Sequence, residues 1–235
     1  MAELKELMQL KNETDESVDL YLYGDIVSGW WGKWEDEDTY PAEIRDFLQS
    51  AGGRDINVHI NSGGGSVFAG MAIYNLLAHY SGTVTAYVDG MAASIASVIA
   101  LAADRTVMRT GSVMMIHKPA LVMMGVYNAD ELMKLASDID AVQRCIMQVY
   151  EKHGKIDTSE IEEKVNAETW LPAEEAADVF DIDVETEEAV AAVGSEFIAR
   201  VASKVPPQYA QEPKPPSDED RNKAKLEILE LEGKK

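Results

Sequence analysis

Apolar and polar residues alternate through VDLYLYGDI (18–26), the period of a strand, and Gly24 predicts its end. DINVHIN (55–61) and TVTAYVDG (83–90) read the same way, and RTVMRTGSVMMIHKP (105–119) reads as two short strands. Between them the apolar spacing lengthens to three and four. PAEIRDFLQSAG (41–52) is a helix with Pro near its start and Gly past its end, and SVFAGMAIYNLLAHY (66–80) is another. SGGG (62–65) reads as a tight loop, and the small apolar stretch GMAASIASVIALAA (90–103) as the helix after the third strand. Strand and helix in alternation predict an α/β fold with a mainly parallel sheet.

A longer helix is predicted over 128–153. Leu132, Leu135, Ile139, Val142, Ile146 and Val149 step by three and four along one face, Asn128 and Glu131 form a capping box, and Gly154 is a stop. Such a stripe packs on its own domain or meets another subunit. PAEEAADVF (172–180) is a last short helix before the strand DIDVE. The loop SGWWGKWEDEDTYP (28–41) holds three tryptophans, expected to pack locally or at a subunit contact rather than to stack on a ligand. Five of the eight prolines fall between Pro206 and Pro216, so the chain divides into a domain over 1–204 and a Pro-rich linker with a charged tail over 205–235.

Charge narrows the function. With 42 acidic against 21 basic residues the net charge is −21, which repels nucleic acid, and no basic patch offsets it. The first sixteen residues mix charges and hold no apolar core of signal-peptide length, and the apolar run 91–103 is too short to span a bilayer. A soluble intracellular protein is expected, with no membrane association. The lone Cys145 has no intrachain partner and reads as a small buried hydrophobe. No Cys/His or His/Glu cluster has ligand spacing, so no metal or cofactor is expected.

A serine nucleophile needs a base, an orienting acid and donors for the developing oxyanion. Ser94 stands where a strand and the turn DGMAA open a helix, the setting of a nucleophile elbow, though a serine there is also a common helix cap. Ser97, three residues on, reads as a packed hydroxyl bonded to its own backbone. His117 ends an apolar strand, as a base or as a buried structural histidine; His59, His79 and His153 are weaker candidates. The NSGGG loop lacks the Walker pattern, which leaves exposed backbone donors or a plain turn.

Together, INSGGGSVFAGMAIYN, then GMAAS, then MMIHKP, then ETWLPAEEAADVF resemble the ClpP-like serine peptidase family over roughly residues 18–184. The resemblance implies a spiral of repeated ββα units with 128–153 as a protruding handle helix, in a homo-oligomeric ring acting on protein or peptide substrates. It implies Ser94 as nucleophile, His117 as general base, Gly64 and Gly65 as the glycine pair beside the substrate, and the N–H groups of Gly65 and Ile95 as the oxyanion hole. The family's acid is an aspartate; Glu168 takes that place here, and Gly63 replaces the family's proline. The SGWWG loop and the Pro-rich tail look like phage head maturation (prohead) proteases of this type. That would imply capsid and scaffold proteins as substrates, in the host cytoplasm or the assembling procapsid. A cellular Clp proteolytic subunit working with an ATPase, a crotonase-like enzyme and a non-catalytic ring are the alternatives.

Overall fold

Seven strands and six helices position the site. They are seen in a computed structural model that describes residues 17–185, apart from the Trp31 side chain. The expected domain limit at 204 and the Pro-rich tail over 205–235 lie outside the described residues. In chain order the elements are β1 (Ser17–Ile26), α1 (Pro41–Ala51), β2 (Asp55–Gly65), α2 (Val67–Ala78), β3 (Val84–Ala93), α3 (Ile95–Ala100) and β4 (Arg105–Arg109). After these come β5 (Val113–Ile116), α4 (Ala129–His153), α5 (Thr158–Asn166), β6 (Thr169–Pro172), α6 (Ala173–Val179) and β7 (Asp183–Glu185). The sheet runs β1-β2-β3-β4-β7, with β5 beside β3 and β6 beside β5. Every pairing is parallel except β5–β6. The α/β architecture is the one the alternation predicts. Among the described residues no helix is long and apolar enough to cross a membrane.

Alternation sorts the strands' side chains. Val18, Leu20 and Leu22, then Ile56, Val58 and Ile60, then Val84, Ala86 and Val88 line one face and are buried in one core with residues of α1, α2, α3 and the end of α4. The other face is polar and aromatic. The buried carboxylate of Asp89 accepts from Tyr23 Oη at 2.8 Å and Arg109 Nη1 at 3.0 Å, and meets His59 Nδ1 at 2.8 Å. His59 stacks between Tyr21 and Tyr87, and Arg109 also bonds Glu185. Burial, then the Asp89 carboxylate, push the Tyr23 phenol well up, so it remains a donor.

Three strands run past their predicted ends. β1 continues through Gly24 to Ile26, with its register against β2 shifting between Tyr23 and Asp25. β2 absorbs the SGGG segment, so the tight loop is corrected to an extended strand end; Ser62 Oγ donates to the Gly24 carbonyl at 2.6 Å and accepts from Gly64 N at 3.1 Å. β3 takes in the turn DGMAA, so the helix predicted over 90–103 shortens to α3. The pattern also misses α5 and β6.

The tryptophan loop is shaped by polar contacts. Trp30 and Trp34 are 73% and 91% exposed, which goes against local packing and leaves the subunit contact as the expectation. The buried Asp38 closes the loop instead, its carboxylate accepting from the backbone N–H groups of Asp25, Trp34 and Glu35. Polar capping therefore replaces aromatic packing as the element that shapes it.

Helix α4 begins with the expected capping box on Asn128 and Glu131. Its stripe divides: Ile146 and Val149, joined by Met147 and Tyr150, are buried in the core, whereas Leu132 and Met133 are exposed. Val122, Met124 and Val126 just before it are almost wholly exposed. Cys145 is exposed too, against expectation, because the buried side of the helix is the one carrying Ile146 and Val149. Gly70 lets α2 lie directly on α3, since a Cβ there would overlap Ile95 Cγ1.

Two outcomes follow for stability. Gly70→Ala forces the buried Ile95 aside, so thermal or urea unfolding should show a loss of about 1–3 kcal/mol. His153 Nε2 is buried and has no hydrogen-bond partner among the described residues; burial, then Lys152, hold its pKa below the usual imidazole value, against a smaller opposing pull from Asp181. The lowered value means the neutral ring stabilises the fold above pH ~6.5 and that share is lost as pH falls below it. Melting curves from pH 7.5 to 5 should therefore decline less steeply for His153→Gln, which stays neutral throughout.

Candidate active site

Ser94 is the single residue between β3 and α3, and its backbone has φ 55 and ψ −127. Positive φ is uncommon outside glycine and persists only when neighbours over-determine it. Here Ser94 N donates to the Met115 carbonyl at 2.9 Å, while the Ser94 carbonyl accepts from Ser97 N at 3.0 Å and Ser97 Oγ at 2.6 Å. Ala92 and Ala93 before it are fully buried, so only small side chains fit. The Ser94 side chain makes no capping bond to α3. Its Oγ lies 2.7 Å from His117 Nε2 instead, which removes the helix-cap alternative.

Pairing delivers the histidine. β3 and β5 run parallel with Ala93 opposite Met115, so Ser94 comes level with Ile116 and His117 emerges one residue further on, at the same end of the strand pair. β6 returns antiparallel to β5 with Ile116 opposite Thr169. Extending that register by one residue puts Glu168 opposite His117. Glu168 Oε2 lies 3.6 Å from His117 Nδ1, near enough for charge attraction and too far for a hydrogen bond. The Glu168 side chain is 54% exposed and its backbone φ is 51. The half-buried His117 thus stands between a hydroxyl and a carboxylate.

The glycines meet the serine from the β2 side. Gly64 has φ 93, and a Cβ there would lie 2.7 Å from the Ala93 carbonyl, 2.8 Å from Ser94 Cβ and 3.1 Å from Ile95 N. A Cβ on Gly65, φ 142, would overlap the Ile26 carbonyl. Only glycine lets this strand end run between β1 and the Ser94–Ile95 peptide. Ile95 is the first residue of α3, where an N–H has no carbonyl one turn earlier to bond. Of the six site residues singled out by sequence, Gly64, Gly65, Ser94, Ile95 and His117 converge, and Glu168 joins them at longer range.

Tyr150 is the residue that sequence reasoning passes over. Its hydroxyl lies 2.7 Å from Ser97 Oγ beneath the elbow. It follows Ile146 by four along the α4 stripe, which marks it as inward-facing but not as a neighbour of α3.

Chemically, an imidazole bonded to a serine hydroxyl, with a carboxylate behind it and glycine backbone in front, can abstract a proton and support acyl transfer. The Clp protease family model matches residues 43–183, more than half of the chain and the whole of this constellation. The chain is 33% identical over 153 residues to the ATP-dependent Clp protease proteolytic subunit of Porphyromonas gingivalis, covering 62% of this chain and 68% of that one. It is 31% identical over 134 residues to the subunit of the same name from Bacteroides thetaiotaomicron, covering 56% and 60%. The Bacteroides fragilis subunit is also 31% identical over 134 residues, with 63% of its length spanned. The chain belongs to the Clp protease family of serine-type peptidases.

Gly64→Ala should disable the site by geometry alone. It adds a Cβ against Ser94 Cβ at a strained φ, so labelling by a fluorophosphonate should fall at least ~10-fold, the cost of displacing a catalytic group by a fraction of an ångström. Intact-mass spectrometry of the labelled, folded variant measures it.

Proposed function

We propose that the protein is a serine endopeptidase in which Ser94 is the nucleophile and His117 its general base. His117 Nε2 takes the Ser94 proton as Oγ attacks a peptide carbonyl. The N–H groups of Gly65 and Ile95 hold the oxyanion. His117 then protonates the leaving amine, and water resolves the acyl-enzyme by the same route. Glu168 steadies the imidazolium from the Nδ1 side. The observation that carries this reading is the 2.7 Å contact between Ser94 Oγ and His117 Nε2 at a positive-φ elbow.

For assembly, the exposed apolar surface from Leu121 to Met133 supports a homo-oligomeric ring, since patches of this kind mark contact surfaces. For substrates, the SGWWG loop and the Pro-rich tail support capsid and scaffold processing in a phage head. The relatives' name, with its ATP dependence, supports the alternative of a proteolytic subunit fed by an ATPase. Digestion of procapsid proteins by the protein alone, compared with digestion of an unfolded substrate with and without an ATPase, separates the two.

Fluorophosphonate labelling with peptide mapping should place one adduct on Ser94. Ser94→Ala and His117→Ala should each lower kcat by on the order of 10⁴-fold or more. Glu168→Gln should cost well under the ~10⁴-fold seen when a buried, directly bonded triad acid is neutralised. The exposed carboxylate at 3.6 Å makes a weaker partner. An unlabelled, folded oligomer would overturn the peptidase roles and favour a non-catalytic ring.

A further inference from the structure

Ser97 and Tyr150 carry hydroxyls that are almost wholly shut from solvent, with relative exposures of 0% and 1%. Ser97 Oγ donates to the Ser94 carbonyl at 2.6 Å and meets Tyr150 Oη at 2.7 Å. A carbonyl only accepts, so the single Ser97 proton is committed to Ser94. Tyr150 must therefore donate to Ser97 Oγ. Burial pushes the Tyr150 phenol well up, which keeps that proton in place. The result is a directed relay from α4 through α3 to the Ser94 carbonyl, where Ser97 N supplies another donor at 3.0 Å.

The Ser94 carbonyl and the Ile95 N–H belong to one peptide unit. That unit is planar and trans, so the two groups point in opposite directions and cannot turn independently. Gripping the carbonyl on the core side fixes the direction of the N–H on the site side. Donors on the carbonyl also polarise the same amide, which strengthens its N–H as a donor.

We infer that Ser97 and Tyr150 are positioning residues for the reaction: their hydroxyl relay holds and polarises the Ser94–Ile95 peptide so that the Ile95 N–H is aimed at the oxyanion. This rests on the nucleophile and oxyanion roles given above. It accounts for two buried hydroxyls that the proton-transfer steps do not use, and for how a non-glycine residue keeps φ 55 at the head of a helix.

The test compares wild type, Ser97→Ala, Tyr150→Phe and the double variant in peptide hydrolysis, in binding of a peptide boronate and in thermal melting. The boronate forms a tetrahedral adduct whose oxygen occupies the oxyanion position. Ser97→Ala should lower kcat about tenfold, equivalent to ~1.4 kcal/mol, with KM within about twofold of wild type. Boronate affinity should fall by the same factor as kcat/KM. Tyr150→Phe, which removes one oxygen and keeps the ring, should lower kcat about threefold, with no further loss in the Ser97→Ala background. Lower melting temperatures with kcat and boronate affinity unchanged would overturn the inference and leave a packing role. Should Ser97→Ala not fold, Tyr150→Phe alone decides it. If wild type forms neither a Ser94 adduct nor a boronate complex, the site reading itself fails and takes this inference with it. Active wild type with unaffected variants sinks only the relay.

Discussion

Strand β5 is four residues long, yet it pairs with β3 on one side and β6 on the other. The site depends on that double pairing. Ser94 follows the last residue of β3, His117 follows the last residue of β5, and Glu168 precedes the first residue of β6. Three residues far apart in sequence thus meet at one end of three adjacent strands. The parallel pair brings hydroxyl to imidazole at bonding distance. The antiparallel pair, with a positive-φ glutamate at its edge, brings the carboxylate only to 3.6 Å.

Much of this was legible because local rules and tertiary demands agree. Pro41 and Gly52 bracket α1, Asn128 and Glu131 cap α4, and alternation in β1, β2 and β3 marks the buried face. Ser94 and His117 were ambiguous by context alone and were marked only by the order of the motifs that resemble the family. The departures at the strand ends have one physical source. Gly63 to Gly65 and the segment Asp89 to Ala93 look like turns in isolation but are strand ends whose small residues permit close backbone approach to Ile26 and Ser94. Glu168 was harder, since its place depends on β6, a strand too short to show a period. Cys145 misled because residue type was taken for burial.

Glycine and strain divide the work around the nucleophile. Gly64 and Gly65 accept positive φ without Cβ cost and let the β2 end touch the elbow. Ser94 must accept positive φ with a side chain, because that side chain is the point of the site. Its hydrogen bonds to Met115 and Ser97 supply the compensation. The strained residue is thus tied both to the strand that carries His117 and to the helix behind it.

The carboxylate of Asp89 reaches further than its own contacts. It ties β1, β3 and β4 to His59 on β2, five residues upstream of Gly64, while Asp89 itself lies five residues upstream of Ser94. Sliding β3 by one residue would carry this carboxylate to the face where Val88 packs, stripped of its tyrosine, histidine and arginine. Such a slip is prohibitive, because an unpaired buried charge costs far more than a misplaced methyl group. The sheet therefore proofreads its own alignment with charge as well as with oil. The contact lies upstream of the register shift between Ile60 and Ser62, so it fixes the alignment from which the glycine strand end departs toward the serine elbow.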